Sequence, residues 1–148
     1  MKRLVADTSV IIKWFDQQEE DSQKANLILE AIHKREIELV LPHFAQLEIA
    51  NILQQTKKFS QERTKEGLVN FFGLDPIFVT LGKRNLLDIL KIGYEAGITP
   101  YDSSFIFAAD SNNIPLFTAD YKHHQKSISP NIIWLSEWNG KLPGKVAS

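Results

Sequence analysis

The sequence predicts an α/β protein of three layers (α/β/α), with a central, mainly parallel sheet flanked by helices. Three observations carry this. Short apolar runs of strand length alternate with segments of helical period from one end of the chain to the other. The strand runs stay apolar along their length, as strands covered on both faces do, instead of alternating with polar residues. The length of 148 residues, 43% of them hydrophobic and 24% charged, suits one domain with a substantial core.

Arg3 to Ala6 reads as a short buried strand. Asp7, Thr8 and Ser9 follow, residue types that favour turns and helix N-caps, and Val10 to Phe15 reads as a short helix. Asp16 to Asp21 is polar and acidic and is expected as a loop. In Ser22 to Lys34 the residues Ala25, Ile28, Leu29 and Ile32 recur on one helical face. Leu39 to Leu41 is a second strand, expected to stop at Pro42 because proline lacks a ladder donor. Phe44 to Gln55 has a helical stripe of Ala45, Ile49, Ile52 and Leu53. Ser60, Gln61 and Glu62 can open a further helix through Leu68, Val69 and Phe72, with Gly73 as its stop. Ile77 to Thr80 is a strand, and Leu86 to Ala96 a helix ended by Gly97. Thr99 caps, and Pro100 opens, a helix from Tyr101 to about Asp110. Leu116 to Thr118 and Ile132 to Trp134 complete the strands. A single domain is expected over residues 1–138, with a loose tail over 139–148 that contains Gly140, Pro143 and Gly144.

A formal net charge of −1 gives no global attraction to nucleic acid, so such binding has to come from local patches or a bound metal. The absence of cysteine excludes disulfides and thiolate metal sites. No signal-peptide pattern is visible, since Asp7 interrupts the apolar run that follows Met1, Lys2 and Arg3, and no apolar stretch is long enough for a membrane span. A cytoplasmic protein is expected.

Open α/β sheets bind ligands beyond the carboxyl ends of their strands. Asp7 follows the first strand, Asp120 follows the strand ending at Thr118, Glu48 lies in the helix after the second strand, and Asp102 opens another helix. Each acid alone has a structural role open to it: Asp7, Asp102 and Asp120 as caps, Glu48 as a solvent-facing side chain. Glu48 sits between Leu47 and Ile49, with Asn51 nearby, in a segment of little other charge. Gathered together, four carboxylates repel and raise one another's pKa unless a cation joins them. Oxygen donors without thiolates or a histidine pattern suit Mg²⁺ or Mn²⁺, which can activate water at a phosphoryl group.

The segment Val5-Ala6-Asp7-Thr8-Ser9-Val10-Ile11-Ile12-Lys13-Trp14 resembles the opening motif of PIN domains, toxins of the VapC type above all. Leu47-Glu48-Ile49-Ala50-Asn51, Ile98-Thr99-Pro100-Tyr101-Asp102 and Thr118-Ala119-Asp120 resemble the next three motifs, in order and spacing, and the resemblance spans Leu4 to Trp134. It implies a PIN-like α/β/α fold and a Mg²⁺ (or Mn²⁺) site built from Asp7, Glu48, Asp102 and Asp120, of which Asp120 acts through water in many relatives. It implies an endoribonuclease that uses metal-activated water and leaves a 5′-phosphate and a 3′-hydroxyl. Thr8 or Ser9, and Asn51, are then expected to orient ligands or water; Lys13 stands where many such toxins carry a basic residue and either touches RNA phosphate or is a solvated lysine on a short helix. The partners implied are RNA, a cognate antitoxin and a second copy of the chain; no membrane is involved.

Further features have weaker readings. Lys122, His123 and His124 follow Asp120 and could contact an RNA phosphate near the site; adjacent histidines do not share a helix face, which disfavours a metal site there. Asp110 is read as structural. Lys57, Lys58, Arg63 and Lys65 form either a basic rim or a solvated helix face. Trp14, Phe15 and Phe44 belong to the core or line a groove for the antitoxin's C-terminal segment. Rival readings are a non-catalytic partner-binding module of the same fold, a metal-dependent DNA nuclease, a haloacid-type phosphatase and a phosphate receiver. The phosphatase is disfavoured because Asp7-Thr8-Ser9 stands where it needs Asp-x-Asp, and the receiver because it needs an early acid pair.

Overall fold

Five short strands form one sheet in the order β3-β2-β1-β4-β5, and all four pairings are parallel. The structure, a computed structural model, describes residues 2–56 and 58–142. Parallel neighbours require crossovers, and helices supply most of them. Along the chain, β1 (Lys2–Ala6) leads through α1 (Thr8–Phe15) and α2 (Ser22–His33) to β2 (Ile37–Pro42). Then α3 (Ala45–Gln55) and α4 (Gln61–Gly73) lead to β3 (Ile77–Val79), and α5 (Lys83–Ala96) and α6 (Pro100–Asn112) to β4 (Leu116–Thr118). Turns over residues 119–131 carry the last crossover to β5 (Ile132–Trp134), and a short 3-10 helix, Leu135–Glu137, follows.

The helix starts are made by the residues the sequence singles out. Asp7 accepts from the Val10 N–H at the head of α1, Ser60 from the Arg63 N–H at α4, and Thr99 from the Asp102 N–H at α6. Pro100 occupies the first turn of α6, and α5 closes on Gly97 at φ 70°, a left-handed position suited to glycine. The expected stripes of α2 and α3 are buried at Ala25, Ile28 and Ile32, and at Ala45, Ile49 and Leu53.

Pro42 is the last residue of β2, opposite Val79, so the strand stops where the sequence expects, and the His43 N–H then donates to the Val79 carbonyl at 3.0 Å. Proline gives up only a donor, and an extended terminal position tolerates that loss. In α4 the buried residue is Phe71, whereas Val69 and Phe72 are 63% and 46% exposed. This helix packs mainly on α3, another helix at the periphery, so its inward face is narrow.

The core is the sheet and what covers it. Leu4, Val5, Leu39, Leu41, Leu116 and Phe117 are fully buried, and each such side chain contributes about 1.5–3 kcal/mol relative to exposure. On this sheet α6 packs against β1, β2 and β4, with α5 against α6. α1 packs on β1 and β4, α2 on α1 and β2, and α3 on α1, completing three layers. After the 3-10 helix, Trp138 stacks edge-on to Phe117, its indole N–H donates to the Lys141 carbonyl, and Leu142 packs on the core. Residues 139–142 of the expected loose tail are therefore docked; Pro143, Gly144 and the remainder lie outside the described residues, as does Lys57. Among the described residues no helix is long and apolar enough to cross a membrane.

Candidate functional site

The chain leaves β1 for β2 on one side of the sheet and reaches β4 on the other, so β1 and β4 flank the point where the topology switches direction. Crevices at the carboxyl ends of such strands are where open α/β sheets bind ligands. Asp7 stands at the end of β1, and Thr118 and Asp120 stand at the end of β4. The helices α3 and α6 bring Glu48 and Asp102 toward the same place, close enough for Asp102 and Asp7 both to act on the charge of Glu48.

Asp7 is 3% exposed and heavily engaged. Ser9 Oγ donates to its Oδ1, Thr118 Oγ1 donates to its Oδ2, and the Val10 N–H reaches Oδ1 at 3.3 Å. In the same way Thr8 Oγ1 donates to Glu48 Oε1. Asn51 is exposed one turn beyond Glu48, and among the described residues no hydrogen bond joins it to the four acids.

Glu48 is half-buried. Burial raises its pKa above the ordinary glutamate value, the Thr8 hydrogen bond opposes this, and the negative charges of Asp102 and Asp7 raise it further. Asp102 holds a reciprocal pair with Thr99: its N–H donates to Thr99 Oγ1, and Thr99 Oγ1 donates back to its carboxylate at 3.2 Å. The capping role expected of Asp102 and its membership of the acid group therefore coexist.

Asp120 is placed differently. Its carboxylate accepts from the His123 N–H and lies 3.0 Å from His123 Nδ1, so it caps the turn after β4. His124, one residue on, points the other way and is buried, with Nδ1 at 2.7 Å from Asp7 Oδ2 and Nε2 at 2.9 Å from the Asp102 carbonyl oxygen. Burial favours the neutral ring, but the hydrogen bond and charge of Asp7 outweigh it and raise the His124 pKa above 6.5. Sequence reasoning placed His124 near the site only as a phosphate contact and quoted Thr118 only within a motif; neither was read as a partner of Asp7. Thr118 carried a usable signal, a hydroxyl two residues before an acid at a strand end; His124 carried none that separates it from His123.

Among the described residues, no three acidic or imidazole groups form a ready-made metal cage; Asp7 and Glu48 accept from hydroxyls instead. The donor chemistry nonetheless fits a hard divalent cation: oxygen ligands only, and a partly buried carboxyl whose ionisation its neighbours oppose until a cation offsets them.

The expected RNA contacts differ in access. Lys122 is exposed beside Asp120, whereas Lys13 is 7% exposed, with Nζ 3.9 Å from Glu19. Of the basic rim, Lys58 pairs with Asp16 at 2.8 Å, Arg63 stacks over Phe59 and Lys65 is exposed. Asp110 is structural, as expected, holding Asn131 Nδ2 at 2.9 Å. Trp14 and Phe15 line a groove of about 840 Å³ with Leu29, Phe59, Arg63 and Phe71, and none of the four acids borders it. Phe44 packs instead on Tyr101 and Phe105.

Fold and site together define a class: a parallel α/β protein with acids from separate segments gathered at the topological switch of its sheet. The chain belongs to the PIN domain family, whose sequence profile matches residues 4–128. No curated protein matches it significantly by sequence. Among solved structures it is similar to PAE2754 from Pyrobaculum aerophilum, at 17% identity over 91% of this chain and 90% of that one, with a TM-score of 0.63. It is also similar to VapBC2 from Rickettsia felis, solved bound to a promoter DNA fragment: 14% identity, 89% and 96% of the two chains, TM-score 0.65. The third, FitAB bound to a DNA fragment, shares 12% identity over 96% and 99% of the chains, with a TM-score of 0.63. Likeness at these identities is a likeness of fold.

Proposed function

We propose that this chain is a Mg²⁺- or Mn²⁺-dependent endoribonuclease and the toxin of a toxin–antitoxin pair. The observation that carries the reading is Glu48, a half-buried carboxyl whose ionisation is opposed by Asp102 and Asp7 from two other segments. Retaining such a group is costly unless a cation offsets it. Asp7, Glu48 and Asp102 would hold the ion, with Asp120 at the rim acting through water. A divalent cation bound there supplies a polarised water and neutralises charge on the scissile phosphoryl group. Thr8 orients Glu48, and Ser9 and Thr118 orient Asp7. Lys122 is exposed where an RNA phosphate would pass, and Lys13 would need to leave Glu19 to do the same.

Membership of the PIN family supports a nuclease, and the fold likeness to VapBC2 and FitAB supports the toxin role. The groove lined by Trp14 and Phe15 has the apolar floor that an amphipathic antitoxin segment needs. A homodimer is proposed through the outer face of α5, and a cytoplasmic site of action because the substrate is RNA.

The test is cleavage of structured and single-stranded RNA with Mg²⁺, Mn²⁺ or EDTA, beside Asp7→Asn and Glu48→Gln. Metal-dependent cleavage that falls to background in both folded variants is expected; cleavage that persists in EDTA and in both variants would overturn the assignment. For the toxin role, expression should arrest growth, and co-expression of a small neighbouring antitoxin should relieve the arrest by forming a complex.

A further inference from the structure

His124 is a buried, closely held side chain beside the acids, and no part of the reading above uses it. Its side chain is 1% exposed. Its backbone is fixed at both ends: the His124 N–H donates to the Asp120 carbonyl at 2.9 Å, and the Trp134 indole N–H donates to the His124 carbonyl at 2.8 Å. The ring lies edge-on to Phe105 of α6, with centroids 6.2 Å apart. One ring nitrogen meets the Asp7 carboxylate at 2.7 Å and the other the main-chain carbonyl of Asp102 at 2.9 Å. A carbonyl oxygen only accepts, so Nε2 donates to it.

One imidazole therefore ties together the segments that carry Asp7, Asp102 and Asp120. Asp7 sits on the end of β1, Asp102 on the first turn of α6, and Asp120 at the start of the turn that holds His124 itself. The bond from the Asp102 N–H to the hydroxyl of its cap Thr99 fixes that turn of α6 from one side, and His124 fixes it from the other.

We propose that His124 is a positioning residue of the acidic site: by bridging the Asp7 side chain and the Asp102 main chain, it sets the orientation and separation with which these acids receive a divalent cation. The inference rests on the metal-dependent reading above. Partners that hold a ligand in this way typically change metal affinity by about 10–100-fold when removed.

The test uses the full chain as wild type, His124→Phe and His124→Asn. Phenylalanine keeps the ring packing on Phe105 and loses both hydrogen bonds; asparagine can keep a donor toward Asp7. Mn²⁺ binding is read by calorimetry and by the paramagnetic resonance spectrum of the bound ion, with thermal melts as the measure of folding. The expected result is about a 10–100-fold loss of Mn²⁺ affinity and an altered spectrum in His124→Phe, with His124→Asn recovering much of the affinity. If His124→Phe does not fold, a spectrum of His124→Asn displaced from that of wild type supports the proposal, and one superimposable on it overturns it. Variants that melt earlier but bind Mn²⁺ as wild type does would reduce His124 to a structural residue and overturn the proposal alone. Wild type that binds no Mn²⁺ would overturn it together with the metal-dependent reading.

Discussion

At the residue scale, the pKa shifts of Glu48 and His124 make the metal-free protein sensitive to pH in one direction. His124 is raised above 6.5, so the folded chain holds this proton more tightly than the unfolded chain. Its contribution is complete below that value and is lost as pH rises through the folded pKa. Glu48, raised above 4.5 chiefly by burial, also binds its proton more tightly when folded, and stability falls as pH climbs through its folded pKa. The charged groups facing His124 are Asp7 and Asp102, with Glu48 also within electrostatic reach. Thermal melts in EDTA should therefore show a melting temperature that declines from about pH 5 to about pH 8, and Asp7→Asn should flatten the His124 part of the decline. A melting temperature that climbs across that window would contradict the assignment of these shifts. Mn²⁺ should oppose the decline, because it competes with the proton at Glu48. The acids themselves were legible in the sequence, since carboxylates after strands and at helix starts point to a sheet edge. The pairing of His124 with Asp7 was not: the two lie 117 positions apart, and no local pattern encodes such a pairing.

At the element scale, the joint between α5 and α6 positions Asp102, and Gly93 is its tightest point. A Cβ there would stand 2.9 Å from the Ile98 carbonyl oxygen and 3.0 Å from Ser103 Oγ. Neither can retreat easily. The Ile98 N–H is bonded to the Gly93 carbonyl at 3.0 Å, and Ser103 Oγ donates to the Thr99 carbonyl at 2.8 Å. Gly93→Ala should destabilise the chain: overpacking costs about 1–3 kcal/mol, against a helix-propensity gain of about 1 kcal/mol. Denaturant unfolding would measure this, and the displaced first turn of α6 should weaken Mn²⁺ binding as well. Gly73→Ala is the control, since nothing lies within 4 Å of its Cβ position; it should be neutral or slightly stabilising. Helix starts were readable from Asp7, Ser60 and Thr99 because capping is local chemistry. The buried side of α4 was not, because which face of a peripheral helix turns inward depends on where its neighbour stands.

At the scale of the whole molecule, alternation of strand and helix was enough to specify a parallel sheet. The strand order was not written in any single segment, because it depends on which edge each crossover joins. The surface also carries a feature that one chain does not explain. Along α5 the residues Leu86, Leu87, Leu90 and Tyr94 are 44%, 61%, 40% and 86% exposed, while only Ile89 and Gly93 of that helix are buried. Leu47 on α3 and Tyr101 on α6 are exposed as well, each adjacent in sequence to an acid of the site, Glu48 and Asp102. An exposed apolar stripe of this kind marks an interaction face, and the proposed homodimer is what would cover it. Sedimentation at micromolar concentration should give twice the chain mass for wild type and the single-chain mass for a Leu87→Lys, Tyr94→Lys double variant. All four acids lie within one chain and neither substituted residue contacts them, so the monomeric variant should bind Mn²⁺ as wild type does. A wild-type protein that sediments as a monomer without its antitoxin would remove the second copy as the occupant of this face, and would leave α5 as a surface for the antitoxin instead.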